Sequence, residues 1–294
     1  SRAFYKTPLT SLTLGSSVST IGYDAFFQTE LTSLTIPDSV TSIGYRAFGD
    51  TPFKALVIGR GLQSISSVGV EAFLNACETL ESVSIDAPEA LGRGGSSSGS
   101  YTNRDDESVY YAGYSGLHFG RFYDSQTNYS VAARRCPKLE SITLGDNVVT
   151  VGDFAFDGPE DMSSLTSLTL GSSIKTIGTY SFNGATSLAS LVIPDSVTSI
   201  GGSAFSNVRS LTSLTLGSGL TSLGNAAFSG ATNLTTVTLP DSLTIIGQSV
   251  FSGATGMSSI NIPDSVTSIG SDAFSNTGLT SVVIPDSVTR IGSR

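Results

Sequence analysis

Residues 31–50 read LTSLTIPDSVTSIGYRAFGD. Three marks in this stretch recur along the chain. The hexad Leu-x-x-Leu-x-Leu/Ile is found at Leu9–Leu14, Leu31–Ile36, Leu80–Ile85, Leu139–Leu144, Leu165–Leu170, Leu188–Ile193, Leu211–Leu216, Leu234–Leu239 and Leu279–Ile284, with looser copies from Phe53 and Met257. After the hexad comes an apolar residue, two small polar ones and Ile-Gly, as in Val197-Thr-Ser-Ile200-Gly201. Ala-Phe or a variant closes the unit, at Phe4, Phe26, Phe48, Phe73, Phe156, Phe182, Phe205, Phe228, Phe251 and Phe274. The last five Phe are 23 residues apart and the first three are 22 apart.

A unit this short cannot bury its own apolar side, but stacked copies bury a shared one. The β-branched hexad reads as a strand with Leu and Ile inward and Ser and Thr outward. Pro-Asp-Ser or Gly-Ser-Ser turns the chain. Val-Thr-Ser-Ile reads as a second short strand, and the Gly after it suits a positive φ. Ala-Phe is expected on a single helical turn, with Phe in the core. The fold class is therefore a β-rich solenoid, a right-handed superhelix of about eleven coils of 22–23 residues. One wall is a parallel sheet; the other carries short strands and helical turns.

The 20-residue tract quoted above resembles the repeat of the BspA-type leucine-rich repeat family, and the likeness covers residues 1–85 and 139–294. The resemblance implies a surface or secreted adhesion module that binds host or matrix proteins. Family repeats often carry Cys three residues before the first Leu of the hexad. Here Ala185, Ala231 and Ala254 replace it, and only Cys77 and Cys136 keep it.

Composition narrows the function. One His (His118) and two Cys exclude multi-His or multi-Cys metal centres. A net charge of −9 argues against a nucleic-acid groove, and no apolar run is long enough to span a membrane. His118 with Asp105, Asp106 or Asp124 and one of 51 Ser could be named a triad, but no nucleophile elbow accompanies it. No enzyme activity and no cofactor are expected. The chain begins and stops within repeats, without the polar caps that solenoids need, which predicts a piece of a longer protein with end-to-end self-association of its edges.

The domain organisation is 1–85 repeats with four strands, 86–138 an insertion, and 139–294 repeats with seven strands, in one continuous structural domain. The insertion opens with a Gly- and Ser-rich stretch, 92–100, that is flexible by composition. It then turns aromatic, with Tyr101, Tyr110, Tyr111, Tyr114, Phe119, Phe122, Tyr123 and His118 as candidate contacts. Tyr with Ser and Gly is the composition of adaptable binding loops; the alternative is a loop that merely covers a worn coil.

Cys77 and Cys136 flank the insertion in the same repeat slot. They lie within disulfide reach if their two coils stack directly; otherwise they are two buried thiols. Outward Thr143, Thr169, Thr215 and Thr238, with the Ser two residues before most such Thr, form a hydroxyl column on the sheet face. It suits an extracellular protein or glycan, and at lower weight ice. Asp38, Asp146, Asp195, Asp241, Asp264 and Asp286 share a turn position. Asp241, Asp264 and Asp286, in consecutive coils, are a weak Ca²⁺ candidate; the alternative is hydrogen bonding within their own turns. Asn128 and Asn233 fit the N-glycosylation acceptor. The reading is a non-enzymatic recognition module, extracellular or at the cell surface, with a structural spacer as the alternative.

Overall fold

The computed structural model describes residues 2–44, 46–62, 72–73, 78–87, 93–102, 109–115, 136–156 and 162–293. Among these residues it is a parallel β-solenoid of seventeen strands, with two more in the insertion, all numbered in chain order. The hexads build one wall. β2 (Ser33–Ile36), β4 (Ala55–Ile58), β5 (Ser82–Ile85), β8 (Ser141–Leu144) and β10 (Ser167–Leu170) form a five-stranded sheet. β12 (Ser190–Val192), β14 (Ser213–Thr215) and β16 (Thr236–Thr238) form a three-stranded one, which a single bridge from Thr238 to Asn261 extends. Their inward residues are buried, as in the exposed–buried alternation of Ser33–Ile36, except in β10, where they are partly buried.

The two-residue segments build the second wall. β9 (Thr150–Val151), β11 (Thr176–Ile177), β13 (Ser199–Ile200), β15 (Ser222–Leu223), β17 (Ile245–Ile246), β18 (Ser268–Ile269) and β19 (Arg290–Ile291) form one sheet; β1 (Thr20–Ile21) pairs with β3 (Ser42–Ile43).

Three expectations need correction. Eight of the eleven hexads carry a strand and a ninth carries the bridge at Asn261, so the paired coils number about nine. The outermost hexads, Leu9–Leu14 and Leu279–Ile284, have a coil on only one side and carry no strand. The four-strand and seven-strand halves become three strands and five strands plus a bridge.

No α-helix occurs among the described residues. The Ala-Phe wall is instead a run of tight turns. The residue two before Phe is left-handed in coil after coil, as in Asp24 (φ 48°), Ser203 (φ 53°), Ala226 (φ 57°) and Ser249 (φ 55°). The residue two after Phe is left-handed as well, as in Asn207 (φ 64°), Gly230 (φ 77°) and Gly253 (φ 78°). A left-handed residue on either side stops a right-handed helix from propagating. It also turns alternate amides along the stack. Ser203, Phe205 and Asn207 donate to the carbonyls of Asn225, Ala227 and Ser229 of the next coil at 2.8, 2.8 and 2.7 Å.

The Gly after each second strand does not serve a positive φ. A Cβ on Gly201 would lie 2.5 Å from the Thr179 nitrogen, and one on Gly270 2.5 Å from that of Gln248. Glycine lets neighbouring backbones touch there.

The Phe side chains form the core column. Phe182, Phe205, Phe228 and Phe251 are fully buried. Their rings stack at 5.3–6.0 Å with interplanar angles of 5–11°. Each also fills the volume between two walls, so truncation leaves a cavity that the coils above and below cannot close. Phe228→Ala is expected to lower unfolding free energy by about 3–5 kcal/mol, measured by chemical denaturation. Phe228→Leu, which keeps most of the volume, is expected to lose less than half of that.

Candidate functional site

The outward positions of the hexad wall form two columns. In the five-stranded sheet Thr35, Val57, Ser84, Thr143 and Thr169 stand in register. In the three-stranded sheet Val192, Thr215 and Thr238 do. Ser33, Ser82, Ser141 and Ser167, then Ser190, Ser213 and Thr236, run alongside. No third or fifth hexad position bears a charge in a chain of net charge −9.

Thr143, Thr169, Thr215 and Thr238 are all exposed, but they do not share one sheet. Among the described residues no backbone hydrogen bond crosses from β10 to β12, and Leu168 and Leu170 are only partly buried. Val192, at the break, is 62% exposed. The break and the exposed Val57 and Val192 interrupt the regular hydroxyl spacing that an ice lattice would match.

The insertion lies in sequence between two strands of this wall. β5 and β8, which flank it in sequence, pair directly, Ser82 with Ser141 through Ile85 with Leu144. The Asp86 carboxylate accepts from the Asn147 amide at 3.1 Å and from its Nδ2 at 2.9 Å, joining the two turns. Cys136 is fully buried and disulfide-bonded. Cys77, the other cysteine of the chain, lies outside the described residues.

Within the insertion, β6 (Arg93–Thr102) and β7 (Val109–Ser115) form an antiparallel hairpin with an irregularity between Gly94 and Gly99. The Gly- and Ser-rich stretch expected to be flexible is thus a strand, because a neighbour of the Tyr-rich segment pairs with it. Tyr101 stands opposite Tyr110, Ser100 opposite Tyr111 and Gly94 opposite Tyr114. His118, Phe119, Phe122, Tyr123 and Asn128 lie outside the described residues. Asn233 is exposed on a turn, its amide donating to the Arg209 carbonyl at 3.3 Å.

The turn aspartates bind between coils rather than within their own turns. Asp146 accepts from the Ser172 amide at 2.7 Å and its hydroxyl at 2.9 Å. Asp195 does the same with Ser218, at 2.7 and 3.0 Å. Asp38 takes the Arg60 amide at 3.0 Å and Nε at 2.8 Å. The amide bond and then the hydroxyl hold Asp146 and Asp195 below the ordinary carboxylate range.

These partners belong to coils whose turn begins with Gly. Asp241 and Asp264 precede coils that begin with Pro263 and Pro285. Asp241, Asp264 and Asp286, the Ca²⁺ candidates, each stand exposed on a turn of a separate coil. Among the described residues no group of three His, Cys, Asp or Glu could hold a metal ion. The Asp–Ser clasp between coils escaped sequence reasoning, although an Asp at the second turn position followed one coil later by Gly-Ser marks it, as in Asp146 with Gly171-Ser172 and Asp195 with Gly217-Ser218.

A model of the BspA type leucine rich repeat region matches in six copies, over residues 1–98, 130–191 and 175–294. The chain belongs to this family. A leucine-rich repeat protein from Bacteroides ovatus is similar over 99% of this chain and 70% of its own, at 23% identity and a TM-score of 0.59; this likeness shows the fold. A leucine-rich repeat protein from Eubacterium ventriosum covers 99% of this chain and 71% of its own at 23% identity and a TM-score of 0.49. A leucine rich cell surface protein from Faecalibacterium prausnitzii covers 96% and 85% at 21% identity and a TM-score of 0.38. No curated protein matches the chain. Among the described residues no helix is long and apolar enough to cross a membrane.

The lowered carboxylates set a sign for the pH dependence. Their clasps contribute stability above the ordinary aspartate value of 3.8 and lose it as pH falls through the lower folded-state value. The double variant Asp146→Ala, Asp195→Ala is expected to melt below the wild type at neutral pH. The gap should close on acidification below that range. Melting curves across pH check this; a gap independent of pH contradicts it.

Proposed function

We propose that this BspA-type solenoid is a non-enzymatic recognition module, at a cell surface or outside the cell, that engages a protein or glycan through its hexad sheet and its insertion. The observation that supports this reading most is the rooting of the insertion between β5 and β8, two directly paired strands of the uncharged, hydroxyl-bearing sheet. On this reading a partner that touches the hairpin also reaches the exposed Thr143 and Thr169 column. A surface with few charges favours shape and area over electrostatic steering. Membership of the BspA-type family agrees with the location.

The disulfide of Cys136 with Cys77 would clamp the root of the insertion, and it fits an oxidising compartment. Intact mass after thiol alkylation, with and without reductant, tests the pairing: two labels are expected only after reduction. Two labels on the unreduced chain would end the idea.

The function is tested by deleting residues 92–130 across a short linker. An array of purified extracellular proteins and glycans is then probed with both forms. Binding by the intact chain that falls at least about tenfold on deletion, with the melting temperature unchanged, is the expected outcome. Binding by neither form would favour a structural spacer.

A further inference from the structure

The turn wall carries a feature that the hexad sheet and the insertion do not explain. The left-handed position two before Phe is filled in most coils by short or polar side chains, Asp24, Ser203, Ala226, Ser249 and Asp272. In two successive coils it holds large aromatics instead, Phe154 (φ 58°) and Tyr180 (φ 55°). A bulky residue in this region costs more than Asn, Asp or Gly, so the position is an unfavourable place for a ring with no use. The two rings stack at 5.4 Å and 11°. They stand apart from the buried Phe156 and Phe182 column, and Tyr180 is 39% exposed.

Phe154 covers one face of the Tyr180 ring. On the other side the next coil offers Ser203 and Gly202, the Gly202 carbonyl accepting the Tyr180 amide at 2.9 Å. Neither side chain can cover a phenol ring. The glycine is not required by packing. A Cβ at Gly202 would meet nothing nearer than the Asn225 carbonyl at 3.4 Å, whereas at the preceding Gly201 it would meet backbone at 2.5 Å. The equivalent residues of neighbouring coils, Thr179, Asn225 and Gln248, all have side chains. The glycine therefore leaves a gap in the one coil that follows the aromatic pair. The Asn225 carbonyl and the Thr179 methyl lie nearest to it, Ser203 holds in the next coil the position that Tyr180 holds in its own, and the Asn225 Oδ1 accepts the Gln248 amide at 3.0 Å. Among the described residues no hydrogen bond is made by the Tyr180 hydroxyl.

An exposed aromatic face, beside small polar side chains and the Asp153 carboxylate that accepts the Thr179 amide at 2.6 Å, is the chemistry that takes a sugar ring. The C–H groups on one side of a pyranose pack on the electron-rich π face. Its equatorial hydroxyls reach the polar side chains beside it. We propose that Tyr180, backed by Phe154 and opened by Gly202, forms a carbohydrate subsite on the turn wall, separate from the hexad sheet and the insertion.

Cellotetraose, chitotetraose and mannotetraose, with decaproline as a non-sugar ring ligand, are titrated against the full chain by calorimetry and saturation-transfer NMR. At least one oligosaccharide is expected to bind with transfer from tyrosine ring protons. Tyr180→Ala and Gly202→Gln should each weaken it about tenfold, and Tyr180→Phe by no more than about twofold. Gly202→Gln tests the gap without threatening the fold, because the Cβ has room and Gln248 occupies the equivalent site; its melting temperature should match the wild type.

The chain lacking 92–130 should keep this sugar binding, which separates the subsite from the partner surface proposed above. Binding of none of the three oligosaccharides, binding insensitive to both variants, or binding of decaproline in their place would overturn the subsite.

Discussion

Alternate amides of the Phe turn, those of the Phe residues among them, point along the stack to a carbonyl in the following coil. Phe182 donates to Ala204, Phe205 to Ala227, Phe228 to Val250 and Phe251 to Ala273, at 2.8–3.0 Å. This direction is possible only because residues two before and two after Phe adopt left-handed angles. For a residue other than glycine that conformation costs about 1–2 kcal/mol. Each buried Phe, worth about 1.5–3 kcal/mol by area, and each net backbone bond of about 0.5–1.5 kcal/mol offset it. The two sheets alone would leave the turn wall with unpaired polar backbone; the left-handed pairs make it a third ladder.

The Ser and Thr content follows from the same constraint. Thr198, Thr221, Thr244 and Thr267 each donate a hydroxyl to the carbonyl of the equivalent residue one coil earlier, at 3.0–3.3 Å. Ser242 and Ser265 bond to Leu220 and Leu243 of the coil before, both at 2.7 Å. Many hydroxyls that look like a binding array in sequence are therefore stitches between coils. At the second hexad position Thr166 and Thr212 stitch in the same way, to Glu140 and Ala189, both at 3.2 Å, whereas the described hydroxyls of the third and fifth positions in the eight hexad strands make no such bond. Since stability comes from neighbour contacts, the hexad strands on either side of the insertion still pair directly, β5 with β8.

The repeat, both strand walls and the Phe column were legible in sequence, because periodic burial writes itself into periodic apolar residues. The turn wall was not. Ala-Phe preceded by Ser203, Ala226 or Asp272 has no residue type that announces a left-handed backbone, and glycine at that position, the usual signal, is absent. Gly201 and Gly270 misled in the opposite sense: glycine marks either a special φ or a close approach, and sequence does not separate the two. The inter-coil role of Asp146 and Asp195 was hidden because their Ser partners lie 26 and 23 residues away, beyond any local turn motif. The hairpin was hidden because Gly and Ser favour disorder alone but accept strand geometry beside a Tyr-rich neighbour. The place of Thr143 and Thr169 on one sheet followed from spacing; the break before Val192 did not.

Residue-resolved amide hydrogen exchange on the Phe turns tests the third ladder most directly. The amides of Phe182, Phe205, Phe228 and Phe251 should be protected to a similar degree as the interior hexad amides of β14, because both kinds bond to a neighbouring coil. Exchange of the Phe amides at the rate of an unstructured chain, while the hexad amides stay protected, would contradict it.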